Sequence, residues 1–95
     1  MPAYVIVDAE VSDPVAYETY KKLSGPALAA NGGKFLARGG AVAVLEGSWS
    51  PTRVVIAEFP TVEAARRWYD SPEYGEARQA RAGSARMNIL VVEGL

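Results

Sequence analysis

Residues Tyr4–Val11 read Y-V-I-V-D-A-E-V. Alternation places Val5, Val7, Ala9 and Val11 on one face of a strand and Tyr4, Ile6, Asp8 and Glu10 on the other. Apolar residues occur on both faces, and β-branched residues dominate. Such a strand belongs inside a sheet that is covered on both sides, and the rest of the chain must supply the cover.

Downstream, Asp13 is a good helix N-cap and Pro14 fits the first helical position. Ala16, Tyr20, Leu23 and Ala27 then form one helical stripe. Gly25-Pro26 is expected to kink or break this helix, and Asn31-Gly32-Gly33 to end it. Lys34–Leu45 reads as a second strand, bent by a bulge at Gly39-Gly40. Glu46–Thr52 is a turn-rich loop, and Arg53–Phe59 (R-V-V-I-A-E-F) is a third strand. Thr61 caps the next helix, whose apolar side carries Ala65, Trp68 and Tyr69. Ser71-Pro72 repeats the cap-then-proline signature, so a further short helix runs to about Ala82. Residues 86–93 form the fourth strand.

The order is β-α-β-β-α-β across one domain, residues 1–95, with each helix interrupted once. This is the split βαβ, or ferredoxin-like, arrangement: an α+β fold with a four-stranded antiparallel sheet. Right-handed crossovers put the first and third strands in the centre and both helices on one face. The other face, with Ile6 and Val54 or Val55, then lies open to water or against a partner. A homodimer through that face is the expected assembly.

Composition narrows the chemistry. The 95 residues contain no Cys and no His, which excludes thiolate nucleophiles, disulfides, zinc–sulfur sites and imidazole bases. No metal site and no tightly bound cofactor is expected. A net charge of −1 argues against nucleic acid as a partner. No apolar run approaches a membrane span, and no signal peptide is visible, so the expected location is the cytoplasm.

Several segments together resemble a known family. They are A-Y-V-I-V-D (Ala3–Asp8), D-P with Y-x-x-Y (Asp13–Tyr20), G-G-K-F-L-A-R-G-G (Gly32–Gly40), L-E-G-x-W (Leu45–Trp49), E-F-P-T-V-E-A-A (Glu58–Ala65) and W-Y-x-S-P-E-Y (Trp68–Tyr74). The chain is similar to the bacterial family catalogued as domain of unknown function 1330. That resemblance implies the dimeric α/β-barrel superfamily, in which two ferredoxin-like subunits pack their open sheet faces together. Relatives there include cofactor-free monooxygenases, haem-degrading enzymes, chlorite dismutases and small lactone isomerases.

Asp8, Arg38 and Glu58 come from three different strands and are the candidate catalytic residues. On one face they would bind a small acidic or carbonyl-bearing molecule, with Arg38 as anion clamp and a carboxylate as base. The competing reading is a structural ion-pair network. Tyr74 and Arg78 share a helix face behind the cap Ser71, and with Trp49 and Tyr69 they are the candidate ligand-binding residues. The competing reading has Ser71 only capping and Tyr74 only packing. Arg38, Asp8 and Tyr74 are expected together at the barrel mouth. The functional expectation is isomerase-like proton transfer or cofactor-free oxygenation of a small metabolite. The alternative is a non-catalytic structural or ligand-sensing dimer.

Overall fold

A computed structural model describes all residues, 1–95. The elements are β1 (Ala3–Val11), α1 (Pro14–Ala30), β2 (Lys34–Arg38), β3 (Arg53–Phe59), α2 (Val62–Asp70), α3 (Pro72–Ala80) and β4 (Ala85–Glu93). The strands form one antiparallel sheet in the order β2-β3-β1-β4, with β1 and β3 central as the crossover rule requires.

Local chemistry accounts for the helix starts. The Asp13 carboxylate accepts hydrogen bonds from the N–H groups of Val15 and Ala16, and Thr61 Oγ1 accepts one from Ala64 N–H at 3.0 Å. Ser71 caps α3 and separates it from α2. At the end of α1, Gly32 takes φ +84°, a left-handed turn that stops the helix.

The core lies between the helices and one face of the sheet. Val5, Val7 and Ala9 of β1 and Ala57 and Phe59 of β3 pack on Tyr17, Tyr20 and Leu28 of α1, Trp68 of α2, and Tyr74 and Ala77 of α3. The opposite face presents rows of neighbours: Val54, Asp8 and Asn88; Ile56, Ile6 and Leu90; Glu58, Tyr4 and Val92. No helix is long and apolar enough to cross a membrane.

Two local expectations fail. Helix α1 runs unbroken through Gly25-Pro26. Pro26 is exposed and removes a single i→i−4 bond, while Ser24, Ala27 and Leu28 stay buried against neighbouring elements. Packing outweighs the local cost. The second strand ends at Arg38 rather than Leu45, and its bulge lies between Phe35 and Ala37, not at the glycine pair. Gly39 turns the chain with φ +74° while its N–H closes the ladder on Val54 O at 3.0 Å. Beyond it Ala41–Leu45 has no neighbouring strand and is exposed, Leu45 at 96%.

Candidate functional site

The bulge at Leu36 decides where Arg38 goes. Lys34 pairs with Glu58 and Phe35 with Ala57, but Ala37 pairs with Ile56 and Arg38 with Val55. The extra residue reverses the alternation, so Arg38 lies on the helix face while Lys34 lies on the open face. Its Nη2 donates to Lys21 O at 2.9 Å and to Ser24 Oγ at 3.3 Å, and its guanidinium sits 4.3 Å from the centre of the Phe35 ring. Arg38 therefore does not join Asp8 and Glu58, because a sheet separates them.

Asp8 and Glu58 do share the open face, but not one site. Asp8 pairs with Val54 and Glu58 with Tyr4, four positions apart, about 13 Å along the strands. Asp8 Oδ2 accepts a hydrogen bond from Trp49 Nε1 at 3.0 Å. This bond, with the one from Thr52 Oγ1 to Ala9 O, pins the 39–52 segment over the end of β1. Glu58 faces Lys34 Nζ at 3.7 Å.

Tyr74 is completely buried on the other side of the sheet, and its hydroxyl pairs with that of Tyr20 at 2.8 Å. Burial pushes the Tyr20 hydroxyl pKa well above its ordinary value, and the neighbouring Tyr74 adds to the shift. The expected grouping of Tyr74 with Arg38 and Asp8 at a barrel mouth does not form. Ser71 Oγ accepts the Tyr74 N–H at 3.2 Å and Asn31 Nδ2 at 3.4 Å and donates to Trp68 O at 2.7 Å, so all three of its bonds are internal. The Arg78 guanidinium lies 4.4 Å from the Tyr69 ring centre.

A cleft of about 760 Å³ opens between α2 and the edge strand β4, within the usual range for small-molecule sites. Trp68 and Tyr69 wall one side and Met87–Val91 the other, with Arg66, Asp70 and Arg81 adding charge. Two of these groups carry buried donors with no hydrogen-bond partner: Trp68 Nε1 and Arg81 Nε. Of the residues singled out from the sequence, only Tyr69 lies here. Arg66, Asp70, Arg81 and Asn88 were missed. The legible part of the signal was Arg66 and Asp70 at i, i+4 beside an aromatic pair; Arg81 and Asn88 arrive only through tertiary folding.

Solved structures share the fold. A protein of unknown function from Rhodopseudomonas palustris, RPA0582, aligns over 99% of this chain and 82% of its own, with 25% identity and a TM-score of 0.79. SnoaB, a cofactor-independent oxygenase from Streptomyces nogalater, aligns over 99% and 93%, with 16% identity and a TM-score of 0.70. A dimeric protein of unknown function with a ferredoxin-like fold from Bacteroides fragilis aligns over 98% and 96%, with 12% identity and a TM-score of 0.58. No curated protein matches the chain. Residues 2–95 match the signature of the family described as Domain of unknown function (DUF1330).

Proposed function

The chain belongs to the family described as Domain of unknown function (DUF1330), and we propose that each subunit of a homodimer binds and transforms a small, planar, carbonyl- or acid-bearing molecule in the α2–β4 cleft. The observation that carries this reading is the convergence in one cleft of an aromatic wall, a carboxylate and two arginines, of which Arg81 keeps a buried Nε–H without a partner. Buried donors without partners are rare in folded proteins, and a ligand oxygen would satisfy them. Trp68 and Tyr69 offer faces for a flat apolar body. Arg66 and Arg81 suit a carboxylate or a developing enolate oxygen. Asp70 is the one carboxylate in the lining and takes the role of base in a proton transfer. Cofactor-free oxygenation, the activity named for SnoaB, is the variant in which the substrate itself supplies the electrons.

Two features support the dimer. Leu90 and Val92 are 56% and 47% exposed on the open sheet face, beside half-buried Ile6, Val54 and Ile56. The subunit also exposes 6026 Å², roughly 700 Å² more than mass scaling gives for a lone chain, close to the ~800 Å² that each partner contributes to a standard interface. The absence of cysteine fits a reducing cytoplasm.

The test is native mass spectrometry of the protein from its own host. A dimer carrying a small organic mass is expected, and Met87→Trp, which fills the cleft from β4, should lose that mass. A dimer of bare mass, or a bound mass indifferent to Met87→Trp, refutes the cleft reading. Solvent deuterium entering the bound compound marks proton transfer, and oxygen uptake marks oxygenation. A compound that binds and undergoes neither assigns the dimer to ligand sensing.

A further inference from the structure

A second, smaller cavity of about 30 Å³ lies between α1 and the helix face of the sheet. Arg38 and Arg53 both line it, and no Asp or Glu does. The ion pairs of the chain are Lys21–Glu18, Lys34–Glu58 and Arg86–Glu10, so neither arginine meets a carboxylate. Lys21 also lines the cavity, but its ammonium is held by Glu18 at 2.9 Å. Glu18 itself is exposed; Lys21 chiefly, and Lys22 and Arg53 to a lesser degree, hold its carboxyl below the ordinary range. Two cations thus face a partly open space whose lining holds no carboxylate.

The polar accounting agrees. Arg53 Nε and Trp68 Nε1 are both buried without a partner, and both residues line this cavity. Trp68 is only 4% exposed. Glycine leaves the Arg53 guanidinium its room: a side chain at Gly39 would collide with it. The R-G-G segment Arg38–Gly40 thereby supplies one cation and the room for the other.

We propose that this cavity is a carboxylate subsite, with Arg53 and Arg38 holding the anion and the Trp68 indole N–H donating to it. Size selects the class. One water needs about 10–15 Å³ of such space, so the cavity takes two or three water-sized atoms, room for the two oxygens of a carboxylate but not for the four of a phosphate. The remainder of the molecule leaves past Arg38, which is exposed. Arginine suits this task because its fork meets both carboxylate oxygens. The subsite stands whether or not the α2–β4 cleft holds a ligand; the two share Trp68 and Val5 as walls.

The experiment is a titration of the ¹⁵N-labelled protein with sodium propionate at constant ionic strength, following the Trp68 indole and the arginine Nε–H signals. Trp49 is the internal control, since its indole N–H is bonded to Asp8 on the opposite face of the sheet. Saturable shifts of Trp68 and Arg53, with Trp49 unmoved, are expected. Arg53→Met and, separately, Arg38→Met should each weaken propionate at least tenfold. Met87→Trp should leave it unchanged, which separates this subsite from the cleft. Should Arg53→Met fail to fold, Arg38→Met at its exposed position decides alone. Shifts that never saturate, saturation by chloride or phosphate as readily as by propionate, or unchanged affinity in the folded arginine variants overturns the proposal.

Discussion

Replacing Tyr74 by Phe removes one oxygen and, by our account, takes from the fold rather than from a ligand site. The two hydroxyls of Tyr20 and Tyr74 are each other's hydrogen-bond partners at 2.8 Å, and the two residues are 7% and 0% exposed. The Phe ring keeps the packing of Tyr74 against Trp68, whose ring centre is 4.3 Å away, and against Tyr69 at 5.7 Å. What the variant changes is the Tyr20 hydroxyl, left buried with no partner. An orphaned buried hydroxyl costs about 1–3 kcal/mol. At 4–8 °C per kcal/mol for a domain this small, Tm should fall by roughly 4–24 °C. Tyr20→Phe should cost a similar amount by orphaning Tyr74.

The double variant supplies the discriminating number. Removing both hydroxyls leaves no unsatisfied group, so Tyr20→Phe/Tyr74→Phe should lie within about 1 kcal/mol of the parent. The coupling between the sites would then be about 1–3 kcal/mol or more. Urea unfolding at one fixed protein concentration measures it, because the proposed dimer would make apparent stability depend on concentration. If the double variant loses the sum of the two single losses, the hydroxyls are not a mutually satisfied pair. If Tyr74→Phe keeps full stability but loses a co-purified ligand, the hydroxyl serves the ligand and its structural assignment here fails.

Three further outcomes are expected. The raised Tyr20 pKa means that the folded chain keeps a proton which the unfolded chain releases from about pH 10, so its contribution is complete below pH 10 and declines above it, by up to about 1.4 kcal/mol per pH unit; urea melts at pH 9 and 11 should show a steeper loss for the parent than for the double Phe variant. Leu90→Asp, on the open face beside Ile6, should sediment as a monomer with unchanged far-ultraviolet dichroism, and a dimer at micromolar concentration would place the interface elsewhere. Ser71→Ala loses the cap on Tyr74 N–H and should cost about 1 kcal/mol in the same melts, without weakening ligand binding if the serine only caps.

The central strands and the helix starts were legible because local chemistry specifies them. Alternating β-branched residues mark β1 and β3, and Asp13, Thr61 and Ser71 act as caps where the sequence puts them. The site was less legible, because its residues meet only through the fold. Arg66 and Asn88 lie on different elements and converge when α2 docks over β4. The least legible feature was the side of the sheet that Arg38 takes, since one extra residue reverses every assignment beyond it.

Deleting a residue inside a strand normally turns the following side chains to the other face. Deleting Leu36 should not, because Phe35 already pairs with Ala57 and Ala37 with Ile56, consecutive positions of β3. The deletion takes out the bulged residue, half exposed at 50%, and leaves Arg38 opposite Val55. The variant should fold, keep the Arg38 Nε–H signal and its nuclear Overhauser contacts to the Phe35 ring, and bind propionate like the parent. The contrasting change is Ala37 deletion with Leu36 retained: Leu36 then takes the slot opposite Ile56, Arg38 keeps its place, and the open face gains a leucine in place of alanine. If either deletion sends Arg38 to the open face, the bulge does not set the parity of β2, and the placement of the arginine must come from its bonds to Lys21 and Ser24 on α1 instead.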